Sequence, residues 1–181
     1  MWKSVKYEGR NEMMSENTSN ELAVTASEDF SEMKGKYLTF WTDGQLFAIP
    51  ISDVVQIVQI QSITLVPEFP PYAKGIINLR GSVIPIIDVR LRFGKAEIPY
   101  NDHNCIIITS IYNRLVGFVV EKIEEVTPIP NEEISPPPQM SHDFTTTFLT
   151  GIGKHDKKVI LLLDTQKILS LEQMNMLGGS F

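Results

Sequence analysis

The 181-residue chain lacks the features that mark several large protein classes. It has one cysteine, which excludes an internal disulfide framework and fits a reducing compartment. Its longest apolar runs, such as residues 159–163, are too short to cross a bilayer. The first ten residues lack the apolar block and the small-residue cleavage site of a secretory signal. These absences predict a soluble, cytoplasmic protein without direct membrane insertion.

Positive charge is also scarce. The chain has 16 Lys and Arg against 22 Asp and Glu, which gives a net charge of −6. Nucleic-acid binders depend on clustered Lys and Arg, and the only tight basic cluster here consists of Arg80, Arg90 and Arg92. We therefore expect no nucleic-acid partner. A small β-barrel that binds single strands is the remaining alternative of this class, and a salt-sensitive mobility shift would support it.

The usual catalytic and metal-binding patterns are absent as well. There is no Gly-x-Ser-x-Gly elbow, and residues 151–154 lack the spacing of a phosphate-binding loop. The three histidines, His103, His142 and His155, lie in polar contexts without a shared ligand spacing. Cys105 opens an apolar run and fits a small hydrophobic residue better than a nucleophile. The sequence thus predicts no enzyme activity, no cofactor and no metal site.

What the chain does contain is a series of short β-branched runs separated by turns. An Asp-Gly pair between two such runs, at residues 42–45, is a strong hairpin signal. Few helical patterns intervene, so a mainly β fold of small barrels or a sandwich is predicted. The ten predicted strands are 37–41, 46–49, 54–60, 75–79, 82–87, 105–109, 115–120, 123–129, 148–152 and 158–163.

An internal repeat organises these strands. Residues 75–88 align without a gap with residues 151–164, and the Gly, Ile, Val, Ile and Asp at five matched positions are identical. Upstream, residues 46–57 follow the apolar pattern of residues 115–126. The repeat predicts two five-stranded units, each from one copy, with a boundary near residues 99–103. Chance similarity between β segments of like composition is the alternative.

Short helices and flanking segments complete the outline. Asp88 and Asp164 each end a strand before a helical turn, which favours helix capping, and Ser170 has capping-box spacing to Gln173. Residues 1–36 are polar and aperiodic, so we expect a disordered extension, with a short helix at residues 28–34 as the alternative. The predicted main domain spans residues 37–176, with halves of about 37–100 and 101–176, followed by a flexible tail at residues 177–181.

One stretch resembles a known family. Residues 75–90 read Gly-Ile-Ile-Asn-Leu-Arg-Gly-Ser-Val-Ile-Pro-Ile-Ile-Asp-Val-Arg, which resembles the signature of CheW-type chemotaxis coupling proteins, with Val89 in place of the usual Leu. Further similarity in residues 47–51, 116–120 and 160–164 extends the likeness over most of residues 37–176. The resemblance implies two SH3-like five-stranded barrels, intertwined around a shared hydrophobic region, with short helices and a C-terminal helix.

The resemblance also implies a function. Family members are non-enzymatic adaptors and scaffolds of two-component signal transduction in the cytoplasm. They bridge the cytoplasmic tip of methyl-accepting chemoreceptors to the regulatory domain of a CheA-type histidine kinase, and are recruited to membrane-associated receptor arrays. An adaptor of the same fold in a pilus-linked or developmental chemosensory pathway is the alternative, which the sequence does not separate.

The resemblance further implies a receptor-binding set. Arg80 of the Asn-Leu-Arg-Gly motif is the main candidate, and a salt bridge that braces the turn is its alternative role. Val54 and Ile57, with their repeat mates Ile123 and Val126, correspond to positions in or near the receptor groove, although each can instead be core. Gln56 completes the set, at a position where the family commonly has Glu.

The rest of the motif is expected to fix the backbone. Gly75 and Gly81 are predicted to serve positive φ angles or close approach, and Asn78 and Leu79 complete the motif between them.

Overall fold

The computed structural model describes residues 32–138 and 144–178, and its elements lie in the unit Lys34–Phe181. Strands dominate this part of the chain. They are β1 (Lys36–Thr42), β2 (Gln45–Pro50), β3 (Val54–Gln59), β4 (Ala73–Leu79), β5 (Ser82–Asp88), β6 (Cys105–Ile111), β7 (Arg114–Val120), β8 (Lys122–Pro128), β9 (Ile134–Ser135), β10 (Leu149–His155) and β11 (Lys158–Leu163). The helices are α1 (Val89–Arg92), α2 (Thr165–Ile168) and α3 (Leu171–Gly178), with 3-10 turns at Ile51–Asp53, Asn131–Glu133 and Phe144–Phe148.

Four hairpins share one type of turn. In each, two residues with positive φ connect the strands, as the right-handed twist of a hairpin favours. The predicted Asp-Gly hairpin is one of them. The four pairs are Asp43-Gly44, Arg80-Gly81, Tyr112-Asn113 and Asp156-Lys157. All ten predicted strands are present, and the two-residue β9 is an addition that its Pro-rich surroundings concealed.

The strands form two mixed sheets. One has six strands in the order β8-β1-β2-β11-β10-β9, and the other has five in the order β3-β6-β7-β5-β4. The first hairpin of each repeat copy thus pairs with later strands of the other copy. The expectation that each unit comes from one copy is wrong, and the two halves are intertwined. The physical reason is that each hairpin lies between two strands of the opposite half and pairs with one in parallel and with the other antiparallel.

These pairings also confirm the repeat. Ile86 of β5 lies opposite Gly117 of β7, and its repeat mate Leu162 of β11 lies opposite Ala48 of β2. Register shifts recur at Ala73/Gly75 in β4 and at Leu149/Gly151 in β10. Chance similarity would not reproduce the same register and the same bulge in both copies, so that alternative is excluded.

Three apolar clusters hold the sheets together. The largest takes residues from both sheets and from α1–α3, including Phe40, Phe47, Phe93, Phe118 and Phe148. A second, isoleucine-rich cluster belongs to strands of the five-stranded sheet, and a third belongs mainly to β2 and β11. The molecule therefore has a central core between two barrels, each of which has an interior of its own.

The helix caps form as predicted. The Asp88 carboxylate accepts a hydrogen bond from the backbone N–H of Leu91 at 3.0 Å, and Asp164 accepts one from that of Gln166 at 2.9 Å. At the start of α3, Gln173 and Ser170 exchange side-chain to backbone bonds of 3.0 and 3.2 Å.

At the C-terminal end, the structure differs from the predicted flexible tail at residues 177–181. Leu177 is buried and α3 extends to Gly178, so these two residues belong to the helix and not to the predicted tail. Residues 1–31 and 179–181 lie outside the described residues, and so does most of the alternative helix at residues 28–34.

Candidate partner-binding surface

The Asn-Leu-Arg-Gly motif forms the turn between β4 and β5. Leu79 is half-buried against the isoleucine-rich cluster, which anchors the end of β4. The Asn78 side-chain oxygen accepts a hydrogen bond from the backbone N–H of Gly81 at 2.9 Å and so closes the turn. Arg80 has a φ of 51° and an exposed side chain. Three residues of the motif thus hold a fourth in solvent on a rigid turn.

Arg80 makes no ion pair with any residue that the structure describes. The alternative of a salt bridge that braces the turn therefore has no partner within residues 32–138 and 144–178. The Asn78 hydrogen bond braces the turn in its place.

The other two arginines of the predicted basic cluster are engaged in the fold. Arg90 Nη1 lies 2.8 Å from Asp43 Oδ1 and 3.0 Å from Glu121 Oε1. The Arg92 guanidinium stacks on the rings of Tyr72 and Phe148 at 4.6 and 4.7 Å, and burial lowers its pKa. Arg90 is thus held by ion pairs and Arg92 by ring contacts within the fold. Arg80 differs from them in its exposure.

The two motif glycines have the expected backbone geometry. Gly81 has a φ of +87°, with open space where a Cβ atom would lie. Gly75 has a φ of +135°, and a Cβ there would come within 2.0 Å of the Thr64 carbonyl oxygen. Gly81 therefore permits a turn conformation, whereas Gly75 permits close approach of the 60–72 loop.

β3 supplies three of the predicted receptor residues and lies at an edge of the five-stranded sheet. Burial alternates along it, so that Val54 and Gln56 are half-buried and Ile57 is 40% exposed. Val54 packs against the central cluster. A register shift between Val54 and Gln56 interrupts the alternation, and the pairing of Val54 with Thr109 and of Ile57 with Ile107 places Val54 and Ile57 on the same face of the sheet.

β8 supplies the repeat mates and lies at the corresponding edge of the six-stranded sheet. Ile123 and Val126 are half-buried and pack against the central cluster. Val54, Ile123 and Val126 thus each lie at the border of the core that both sheets share. They are part core and part surface, and the described contacts do not join Arg80 to them.

Charged groups surround the apolar positions of β8. Glu124 accepts hydrogen bonds from Trp41 Nε1 at 2.8 Å and from Lys158 Nζ at 2.9 Å, and these bonds lower the pKa of its carboxyl group. They tie β8 to β1 and to β11.

Cys105, the first residue of β6, is half-buried, and burial raises the pKa of its thiol.

One exposed apolar residue was missed by sequence reasoning. Val55 is 55% exposed, more than any predicted aliphatic member of the set. A period of two counted from Ile57 would have indicated position 55, although the structure interrupts that period with a register shift between Val54 and Gln56.

Comparison with known proteins shows the family of this chain. The model of the CheW-like domain family matches residues 36–173, which is most of the chain. The chain belongs to the CheW-like family. The match begins and ends close to the predicted domain limits of 37 and 176.

Individual relatives agree with this assignment. The chain is 32% identical over 152 residues to the chemotaxis protein CheW of Klebsiella aerogenes, covering 83% of this chain and 92% of that protein. It is 31% identical over 150 residues to CheW of Helicobacter pylori, covering 82% and 90%. The crystal structure of the scaffolding protein TtCheW from Thermoanaerobacter tengcongensis superposes with a TM-score of 0.71 at 35% identity, covering 77% of this chain and 94% of that one.

These findings confirm the predicted mainly β fold and the predicted role as a CheW-like adaptor of chemotaxis signalling. In the described part of the chain, no helix has both the length and the apolar character needed to span a membrane.

Proposed function

We propose that this CheW-like protein is a non-enzymatic adaptor that couples methyl-accepting chemoreceptors to a CheA-type histidine kinase. The family assignment supports a scaffolding role. The finer statement, which names the two partners, extends the resemblance of the Asn-Leu-Arg-Gly motif to this chain. Its place of action is the cytoplasm, where receptor arrays at the membrane recruit it.

The observation that carries the proposal is the exposed Arg80 on its braced turn. A guanidinium presents five N–H donors in a rigid fork, which suits carboxylates and carbonyl oxygens on the surface of a helix. The fixed turn reduces the conformational entropy that Arg80 loses on binding. Its exposure and the absence of a described ion-pair partner leave the fork available for a partner protein.

The apolar border residues, together with Ile57 and Gln56 of β3, form a second proposed contact region besides Arg80. Val54, Ile123 and Val126 contribute their exposed portions, and their buried portions fix their positions against the central cluster. A helical receptor tip can place an apolar face against these exposed portions. The interface is modest, so repeated contacts within an array supply the overall strength.

Titration calorimetry tests the kinase partner. The full chain is titrated with the regulatory domain of a CheA-type kinase from the same source, with both proteins shown to be folded. Saturable one-to-one binding is expected. Absence of any binding at concentrations of about 100 μM would contradict the kinase assignment.

Arg80→Ala tests the receptor contact. Its affinity for a chemoreceptor cytoplasmic fragment should fall about tenfold or more, equivalent to ~1.4 kcal/mol, with an unchanged melting temperature. Lys157→Ala is the matched control, because Lys157 is an exposed cation in the repeat-related turn between β10 and β11. Equal receptor affinity of the wild type and Arg80→Ala would remove Arg80 from the interface.

A further inference from the structure

The two edge strands β3 and β8 are repeat mates and each pairs through a register shift, but they differ in charge and in proline content. β8 carries Lys122, Glu124 and Glu125 and ends at Pro128. β3 reads Val-Val-Gln-Ile-Val-Gln and has no charge, no proline and no glycine. Charged residues and proline are the common means by which edge strands avoid pairing with another chain. Within residues 32–138 and 144–178, no strand pairs with the outer side of β3, so this edge can accept such pairing.

The alternation of hydrogen-bonded and non-bonded pairs with β6 shows which main-chain groups of β3 point away from the sheet. The Ile60 N–H donates to the Asn104 carbonyl at 3.1 Å, and the register places Val58 two residues before it in the same bonded phase. Bonded and non-bonded pairs alternate in an antiparallel ladder. The main-chain N–H and C=O groups of Ile57 and Gln59 consequently point away from β6, toward the free side of the sheet.

The same alternation of bonded and non-bonded pairs on β8 places a proline at the equivalent outward position. The Ile129 N–H donates to the Gly35 carbonyl at 2.9 Å, so the main chain of Val126 and Pro128 points outward. Pro128, the repeat mate of Gln59, has no N–H to offer at this outward position. The fold therefore closes one edge with a proline and leaves the equivalent position on the other edge as a donor.

An exposed apolar side chain on β3 also favours pairing. Ile57 is 40% exposed, and its pairing with Ile107, together with that of Gln59 with Cys105, places Ile57 and Gln59 on one face of the sheet. A strand paired along this part of the β3 edge would cover part of Ile57. Since β3 is uncharged, a second β3 brings no like charges opposite each other.

We propose that the β3 edge pairs antiparallel with the β3 edge of a second copy of this chain, centred on Val58. In this register Ile57 of each copy faces Gln59 of the other. Their outward groups then form four main-chain hydrogen bonds around a two-fold axis. Such an isologous contact closes on itself and limits the assembly to a dimer.

The balance of forces makes the dimer weak and salt-dependent. Two copies that each carry a net charge of −6 repel one another at long range. Salt screens this repulsion but has little effect on main-chain hydrogen bonds and apolar contact. Dimerisation should therefore strengthen as ionic strength rises, in contrast to an association driven by opposite charges.

Pairing would also regulate partner binding. Ile57 and Gln56 belong to the proposed receptor-binding set, so a β3-paired dimer would hide them; this consequence rests on the proposed function. A receptor fragment should then dissociate the dimer. A dimer that forms as described while no receptor binds would contradict the proposed function alone.

Sedimentation of the full chain from about 1 μM to about 1 mM tests the dimer. The wild type should shift toward dimer at the upper concentrations, whereas Gln59→Pro and Ile57→Lys should stay monomeric with native circular dichroism. Val83→Lys is the matched control and should dimerise like the wild type, because Val83 is 42% exposed but lies on β5, away from the β3 edge. Amide exchange gives the residue-level readout: Ile57 and Gln59 should gain protection with concentration, and Val126 on β8 should not.

Either of two results would overturn the inference. One is a wild-type chain that stays monomeric at about 1 mM in high salt. The other is a dimer that persists unchanged in both Gln59→Pro and Ile57→Lys. Because the two variants act through different groups, misfolding of one leaves the other as a valid test.

Discussion

At the scale of single residues, the two motif glycines solve different problems. Gly81 lies in open space at a φ of +87°, so its cost of substitution is conformational. Gly75 combines a φ of +135° with a contact that leaves no room for a Cβ atom. Two glycines of one motif are therefore expected to differ in their tolerance of alanine.

Gly81→Val should lower the free energy of unfolding by about 1–3 kcal/mol, since a β-branched residue is strained at this φ. Chemical denaturation measures the change. Receptor binding should weaken as well, because the turn that holds Arg80 is disturbed. Stability equal to the wild type would show that the turn accepts an ordinary backbone.

Gly75→Ala should cost more than Gly81→Ala when both are measured in the same denaturation series. The alanine at position 75 adds a clash with the Thr64 carbonyl to the backbone strain, and each effect is worth about 1–3 kcal/mol. Gly81→Ala is the matched control because it introduces the same methyl group into open space. Equal losses would contradict the role of close approach.

At the scale of elements, the repeat-related caps of α1 and α2 differ in their surroundings. Asp88 is buried and accepts a second hydrogen bond, from the Tyr100 hydroxyl at 2.6 Å. Burial, and then this bond, raise the pKa of Tyr100 well above its usual range. Asp164 caps α2 at a more exposed position.

Asp88→Ala should therefore destabilise the protein more than Asp164→Ala. Loss of a cap costs about 1 kcal/mol, and an unpartnered Tyr100 hydroxyl adds about 1–3 kcal/mol. The pKa of Tyr100 should fall in Asp88→Ala, since the Asp88 bond favours the protonated phenol. Thermal unfolding and a spectrophotometric titration of tyrosine measure the two effects. An unchanged Tyr100 titration would show that burial alone raises its pKa.

At the scale of the whole molecule, the exchange of hairpins makes each half depend on the other. β1 and β2 belong to a sheet whose remaining strands come from the second half, and β6 and β7 complete the sheet of the first half. The largest cluster draws on both halves. Neither half has a complete sheet or a complete core of its own.

Cleavage of the exposed 102–103 bond, at a protease site introduced there, should leave a complex that stays folded and elutes as one species. Each purified half should be unfolded on its own, because its hairpin and its other strands belong to different sheets. Circular dichroism of the separated and recombined halves checks this. A half that folds alone would contradict the dependence.

The sequence alone determined ten of the described strands, the caps and the family resemblance. Turn residues, β-branched runs and capping patterns act over a few positions, so they can be identified without the rest of the fold. The repeat predicted two related halves, and the Asn-Leu-Arg-Gly motif predicted the candidate residue Arg80.

Only the tertiary structure decided which hairpin joins which sheet, because both halves offer similar edges and local pattern does not choose between them. It also decided that Val54, Ile123 and Val126 are half-buried while Ile57 is exposed. Burial at these positions depends on the bulge in β3 and on the packing of neighbouring elements, which a strand's period does not specify. For the same reason, the open β3 edge and the proline-closed β8 edge became distinguishable only once the hydrogen-bond phase of each strand was known.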